Sequence, residues 1–127
     1  MSAPKLSRLE LRVMDALWEL GPASIREVQE KIATRNRPAY TTVQTIINRL
    51  EEKQAVRRVR KIGNAHIFES IVSRDAAHRR VVKDLLSVFG GRAQPLMLHL
   101  VESGQLKAED ITAARKALRD LSKTKKG

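Results

Sequence analysis

With 127 residues and no cysteine, the chain has room for one globular domain, or a small domain plus an oligomerisation arm, and cannot hold disulfides, iron–sulfur clusters or thiolate metal sites. Its 25 Lys and Arg against 14 Asp and Glu leave a net charge of +11, which favours polyanionic partners. No apolar run approaches the ~18 residues of a membrane span and the N-terminus lacks a signal-peptide core, so a soluble cytoplasmic protein is expected.

Met1 to Leu6 reads as a loose arm. Ser7-Arg8-Leu9-Glu10 is a capping box, in which Ser and Glu satisfy each other's backbone amides at a helix start. The helix it opens places Leu9, Val13, Leu17 and Leu20 on one face, with Leu11, Met14 and Trp18 on a second. A helix apolar on two sides is sandwiched between layers, so Trp18 reads as core or subunit contact rather than a ligand platform. Gly21-Pro22 ends it. Ser24 and Glu27 repeat the capping box and open a second helix to about Ala33, with Ile25, Val28 and Ile32 inward. Thr34 to Pro38 is a polar turn, and Pro38 suits the approach to a helix start.

The stretch from Pro38 to Phe68 organises the chain. Its third helix places Val43, Ile46, Ile47 and Leu50 on one core-facing arc. The outer arc carries Thr41, Thr45, Asn48 and Glu52, with Thr42, Gln44 and Arg49 at its edges. Short hydroxyls and amides stand where Lys and Glu pairs would usually solubilise a surface helix. Such side chains let a backbone approach the edges of bases in the major groove, and Gln, Asn, Thr and Arg read them. Glu52 at the C-terminal end would repel phosphates, so the N-terminal half is expected to enter the groove. Tyr40 at the mouth of this helix either offers its hydroxyl to a phosphate or simply covers the helix start. Val56–Arg60 and Ala65–Phe68 are β-prone runs around Lys61-Ile62-Gly63-Asn64, a hairpin signal. Between Arg35 and Phe68 eight basic residues (Arg35, Arg37, Arg49, Lys53, Arg57, Arg58, Arg60, Lys61) face two acidic ones (Glu51, Glu52). Over half of the net charge thus falls on the predicted binding element.

Ser73 is expected to cap a fourth helix through Phe89, with Val82, Leu85, Leu86 and Phe89 as its stripe, and Gly90-Gly91 ends it. A fifth helix over 92–101 carries Leu96, Met97, Leu100 and Val101; a sixth over 108–121 carries Ile111, Ala114, Leu118 and Leu121. Three amphipathic helices with Gly-rich joints cannot close a core of their own. Their stripes either pair with the same helices of a second subunit or pack back on the N-terminal domain, and the dimer is preferred. The expected organisation is a mainly α chain with a small β-hairpin: a winged helix-turn-helix domain over 1–72, a helical dimerisation region over 73–121, and a basic disordered tail over 122–127.

The run Tyr40-Thr41-Thr42-Val43-Gln44-Thr45-Ile46-Ile47-Asn48-Arg49-Leu50, with Leu11, Val13, Met14, Leu17, Trp18 and Gly21-Pro22 upstream, resembles the BlaI/MecI/CopY (penicillinase-repressor) family. The resemblance extends from Leu6 to Leu121 and includes Val72-Ser73-Arg74, Gly90-Gly91 and Leu98 to Glu102 in order. It implies a dimeric winged-helix repressor of inverted repeats, often built on TACA/TGTA half-sites. It also implies that Thr41, Thr42, Gln44, Thr45 and Arg49 contact bases, with Arg58, Arg60 and Lys61 of the wing on the backbone or minor groove; Asn48 enters from the helical wheel alone. Antibiotic-responsive members are inactivated by an antirepressor protease at an Asn-Phe bond in the fifth helix, where this chain has His99-Leu100. Copper-responsive members carry a C-terminal cysteine cluster that is missing here.

Other chemistry is thinly represented. His78 with Asp75, and His99 with Glu102, have the i,i+3 spacing of a metal clasp but lack a third ligand, and His66 in the wing could touch phosphate. No nucleophile–base set or phosphate loop occurs, and no cofactor is called for. The expectation is therefore a sequence-specific, homodimeric repressor of double-stranded DNA. The alternatives are a non-specific nucleic-acid-binding or architectural protein and a His-based metal-sensing regulator.

Overall fold

Both capping boxes form. In the computed structural model, which describes residues 3–126, the Glu10 amide donates to Ser7 Oγ at 3.1 Å and the Ser7 amide to Glu10 Oε1 at 2.7 Å. They open α1 (Arg8–Leu20), which Gly21 ends at φ +76 with its amide on the Leu17 carbonyl. Ala23–Ser24 is a two-residue strand, β1, and Ser24 with Glu27 caps α2 (Ile25–Lys31). The chain continues through α3 (Tyr40–Glu52), β2 (Val56–Ile62), β3 (Ala65–Ser70), α4 (Arg74–Val88), α5 (Ala93–Glu102) and α6 (Ala108–Lys126). The sheet is antiparallel in the order β1-β3-β2.

The hairpin is longer than its β-prone runs suggested. Gly63 takes φ +59, so Gly63 and Asn64 alone make the turn, and pairing continues through Lys61↔His66 and Ile62↔Ala65. A bulge at Val59 separates the pairs Arg58↔Phe68 and Arg60↔Ile67. β1 pairs Ala23 with Phe68 and Ser24 with Ile67; two residues carry no periodic signal, so nothing local announced it.

The core unites Val13, Met14 and Leu17 of α1, Val28 of α2, Val43, Ile46, Ile47 and Leu50 of α3, and Val56 and Phe68 of the hairpin. The stripe of α3 is wholly buried, as its wheel required. Four aliphatic side chains at about 1.5–3 kcal/mol each outweigh any preference of the polar face, so burial sets the rotation of α3 about its axis. Leu20, expected inward, is exposed as the last residue of α1. Trp18 is half-buried: its Nε1 donates to the Val72 carbonyl at 2.9 Å, the Arg74 guanidinium lies 5.5 Å from its ring centroid and His78 meets it edge-on at 6.1 Å.

That anchorage moves the domain boundary. With Ala77 buried and Trp18 holding the start of α4, the first compact unit runs to Val82 and the second begins at Lys83, rather than dividing at residues 72 and 73. Within the second unit Gly104 turns the chain at φ +76, and the Gln105 and Leu106 amides donate to the Leu100 carbonyl. Phe89 packs a tilted ring on His99, centroids 5.7 Å apart. The expected disordered tail is helical as far as described: α6 runs on to Lys126, and the Thr124 hydroxyl donates to the Asp120 carbonyl at 2.9 Å. No Gly or Pro interrupts 122–126, and lysines suit a helix C-terminus. Gly127 lies outside the described residues.

Glu10 is the charged residue inside the first unit. Lys53 Nζ donates to Glu10 Oε1 at 2.7 Å and to the Lys5 carbonyl at 3.0 Å, so the start of α1 is tied to the end of α3. Burial pushes the Glu10 carboxyl up, but hydrogen bonds from Lys53 and Ser7 outweigh it and hold it below its ordinary value of 4.5. Because the folded value is depressed, the contribution of the pair is complete above 4.5 and is lost as pH falls through the folded value. Lys53→Met should lower unfolding free energy at pH 7 by about 1.5–3 kcal/mol, the range for charged hydrogen bonds, since it strands the carboxylate. Urea titrations at neutral pH and near pH 3 should show a smaller acid loss for Glu10→Gln than for the wild type.

Candidate nucleic-acid interface

Burial of one arc of α3 presents the other. Thr41, Thr42, Gln44, Thr45, Asn48 and Arg49 are all exposed, as is Tyr40 at the helix start. The Thr45 hydroxyl donates to the Thr41 carbonyl at 3.0 Å, which leaves its oxygen lone pairs and methyl for outside contacts. The N-terminus of α3 differs from those of α1 and α2. Its N-cap is Ala39, which makes no side-chain cap, and no acid occupies the first turn. The orphan amides and the positive end of the dipole are therefore left to an external acceptor, where a capping-box glutamate would repel phosphate.

Folding sorts the eight cations of this region into two sets. Arg57 Nε donates to Glu69 Oε1 at 2.6 Å, Arg58 Nε to Glu51 Oε2 at 3.0 Å, and Lys53 holds Glu10. Arg37 donates to the carbonyls of Ile32 and Glu30 at 2.8 and 2.6 Å and so closes the end of α2. Arg58 also lies 5.5 Å from the Phe68 ring centroid, which makes it the bracket between the base of the wing and the end of α3. Arg35, Arg49, Arg60 and Lys61 have no acidic partner among the described residues.

Between α2, α3 and the wing tip lies an open cleft of about 260 Å³, lined by Arg26, Tyr40, Gln44, Asn64 and His66 among others. Tyr40 thus borders a concave site. Arg26 escaped the sequence reading; its signal was a cation in the first turn of a helix, where the dipole favours an acid. Asn64 was read only as a turn residue.

Residues 6–120 match the family model described as penicillinase repressor. The chain belongs to the penicillinase repressor family. It is 34% identical over 120 residues to the transcriptional regulator BlaI of Mycobacterium tuberculosis, covering 92% of this chain and 85% of that protein. It is 27% identical over 120 residues to the penicillinase repressor of Staphylococcus aureus, covering 94% of each. Among solved structures, a MarR family protein from Bacillus stearothermophilus aligns over 96% of this chain and 76% of its own, with 20% identity and a TM-score of 0.46. As a member of the penicillinase repressor family the chain is a transcriptional regulator, not an enzyme. No helix among the described residues is long and apolar enough to cross a membrane.

The histidines stand apart from one another, with His78 against Trp18, His99 against Phe89 and His66 at the wing cleft. Among the described residues no three His, Asp or Glu come together as a metal site.

Arg58→Ala should destabilise the protein by about 1–2 kcal/mol, the sum expected for an exposed ion pair and a cation–π contact. Arg60→Ala should stay within about 0.5 kcal/mol of the wild type, as surface changes do. Urea midpoints measure both, and equal effects would refute the division of the wing cations.

Proposed function

We propose that the chain is a homodimeric repressor that binds inverted-repeat operators of the TACA/TGTA type. The observation that carries this reading is the polar arc of α3, turned outward by its buried stripe and opening on a helix N-terminus free of acids. Placed in the major groove, Thr41, Thr42, Gln44, Thr45, Asn48 and Arg49 supply the donors and acceptors that distinguish base pairs, with Gln44 suited to adenine. Tyr40 and the α3 amides take a phosphate at the groove edge. Arg60 and Lys61 meet the flanking backbone, whereas Arg58, spent on Glu51 and Phe68, sets the angle of the wing rather than contacting DNA.

The second subunit is proposed to cover Val82, Leu85, Leu86, Phe89, Leu96, Met97, Leu100, Val101, Ile111, Leu118 and Leu121. None of these is buried in the single chain, and Leu118 and Leu121 are 64% and 58% exposed. No described side chain beyond Ala77 is buried. Apolar surface on this scale calls for a partner, and a two-fold dimer matches an inverted repeat.

The excess of positive charge also supports binding without sequence preference, and mutation separates the two readings. Gln44→Ala should cost about 1–3 kcal/mol on the operator and little on random DNA, whereas a charge-driven binder would lose equally on both. The direct experiment is fluorescence anisotropy with a TACA…TGTA inverted-repeat duplex against a scrambled one at ~150 mM salt, where a preference of ~10³ or more is expected. A chain ending at Val82 should sediment as a folded monomer with much weaker operator binding; a dimeric truncation would remove residues 83–121 from the interface.

A further inference from the structure

Helix α6 carries a charged face that the proposed recognition helix, wing and dimer contact leave unused. At about 100° per residue, Arg115, Lys116, Arg119 and Lys123 fall within an arc of about 100°, and Ile111, Ala114, Leu118 and Leu121 occupy a separate arc. All four cations are exposed and none has an acidic partner among the described residues. The acids of this helix are placed elsewhere. Glu109 and Asp110 occupy its first turn, where Asp110 Oδ2 accepts the Lys107 amide at 2.9 Å, and Asp120 lies beyond the edge of the basic arc.

An ordinary solvated face alternates its charges, as α4 does when Asp75 pairs with Arg79 four residues on at 3.2 Å. On α6 the same spacing joins Arg115 to Arg119 and Arg119 to Lys123, two like-charge pairs that destabilise the helix when it stands alone. A polyanion laid along the face reverses that penalty. From Arg115 to Lys123 the helix rises about 12 Å, a length over which each strand of B-DNA presents a phosphate every ~3.4 Å. The apolar arc is aliphatic and carries no Trp or Phe, which argues against a membrane surface as the partner.

We infer that the Arg115–Lys116–Arg119–Lys123 face of α6 is a second DNA-binding surface, one that takes backbone phosphates flanking the operator. The inference rests on the proposed operator binding. It predicts that the electrostatic footprint of the dimer exceeds that of its two recognition helices and wings.

The test compares the full chain with its R115Q/R119Q/K123Q variant on two duplexes sharing one central inverted repeat, about 20 and about 60 bp long, by salt titration of the affinity. On the long duplex the slope of log K against log salt should be shallower in the variant by about 2–3, at ~0.9 per phosphate contact. On the short duplex the two proteins should have equal slopes. A charge-keeping variant, R115K/R119K, should retain the wild-type slope on both.

Equal slopes for wild type and R115Q/R119Q/K123Q on the long duplex would overturn the inference while leaving operator binding intact. A loss by R115K/R119K as large as that of the glutamine variant would also overturn it, since the effect would then be one of shape. If the wild type bound neither duplex, the proposed function would fall and the inference with it. Binding to phosphatidylglycerol vesicles that depends on the three cations, with DNA slopes unchanged, would assign the face to a membrane instead.

Discussion

A single carboxylate inside the first unit ties its parts together. Glu10 closes the capping box of α1 and receives the ammonium of Lys53 from the end of α3, while Lys53 also holds the N-terminal arm through the Lys5 carbonyl. Its second oxygen is buried without a hydrogen-bond partner. Such a pair contributes little net stability over an apolar substitute, because removing its charges from water costs about what their attraction returns. What it supplies is position. Slippage of α3 along α1 would strand the carboxylate, whereas apolar side chains alone would tolerate small shifts.

The same logic governs the wing. Arg58 joins the base of β2 to Glu51 near the end of α3, and the bulge at Val59 changes the register beyond it. Recognition helix and wing are thus fixed to each other by charge, and both are fixed to α1 by Lys53. Half of the cations in this stretch maintain the shape of the surface and half are left to act on a partner. Net charge alone therefore overstates the free positive charge: a salt bridge already formed releases no counterions when DNA arrives.

Beyond Val82 the construction changes. The first unit buries its apolar side chains around α3, but the helices that follow keep theirs exposed or half-buried in the single chain. Helix α6 separates an aliphatic arc from a basic one, which lets one helix serve two contacts of different chemistry. The aliphatic arc gains by leaving water, the basic arc by meeting a polyanion.

The sequence by itself determined whatever depends on neighbours three or four residues apart. The capping boxes at Ser7 and Ser24, the burial of Val43, Ile46, Ile47 and Leu50 and the turn at Gly63 are local rules, and each left its period in the chain. The family was legible too, because the run from Tyr40 to Leu50 combines a core stripe with an unusual polar face. Only the tertiary structure decided the partner of Glu10, which lies 43 residues away, the pairing of β1 with β3, the bulge at Val59, and the membership of early α4 in the first unit through Trp18. It also decided which arginines remain available, since Arg58 and Arg60 look alike in sequence and differ only in what stands beside them. Long-range pairing leaves no period in a sequence, because each partner is chosen by where the folded backbone delivers it.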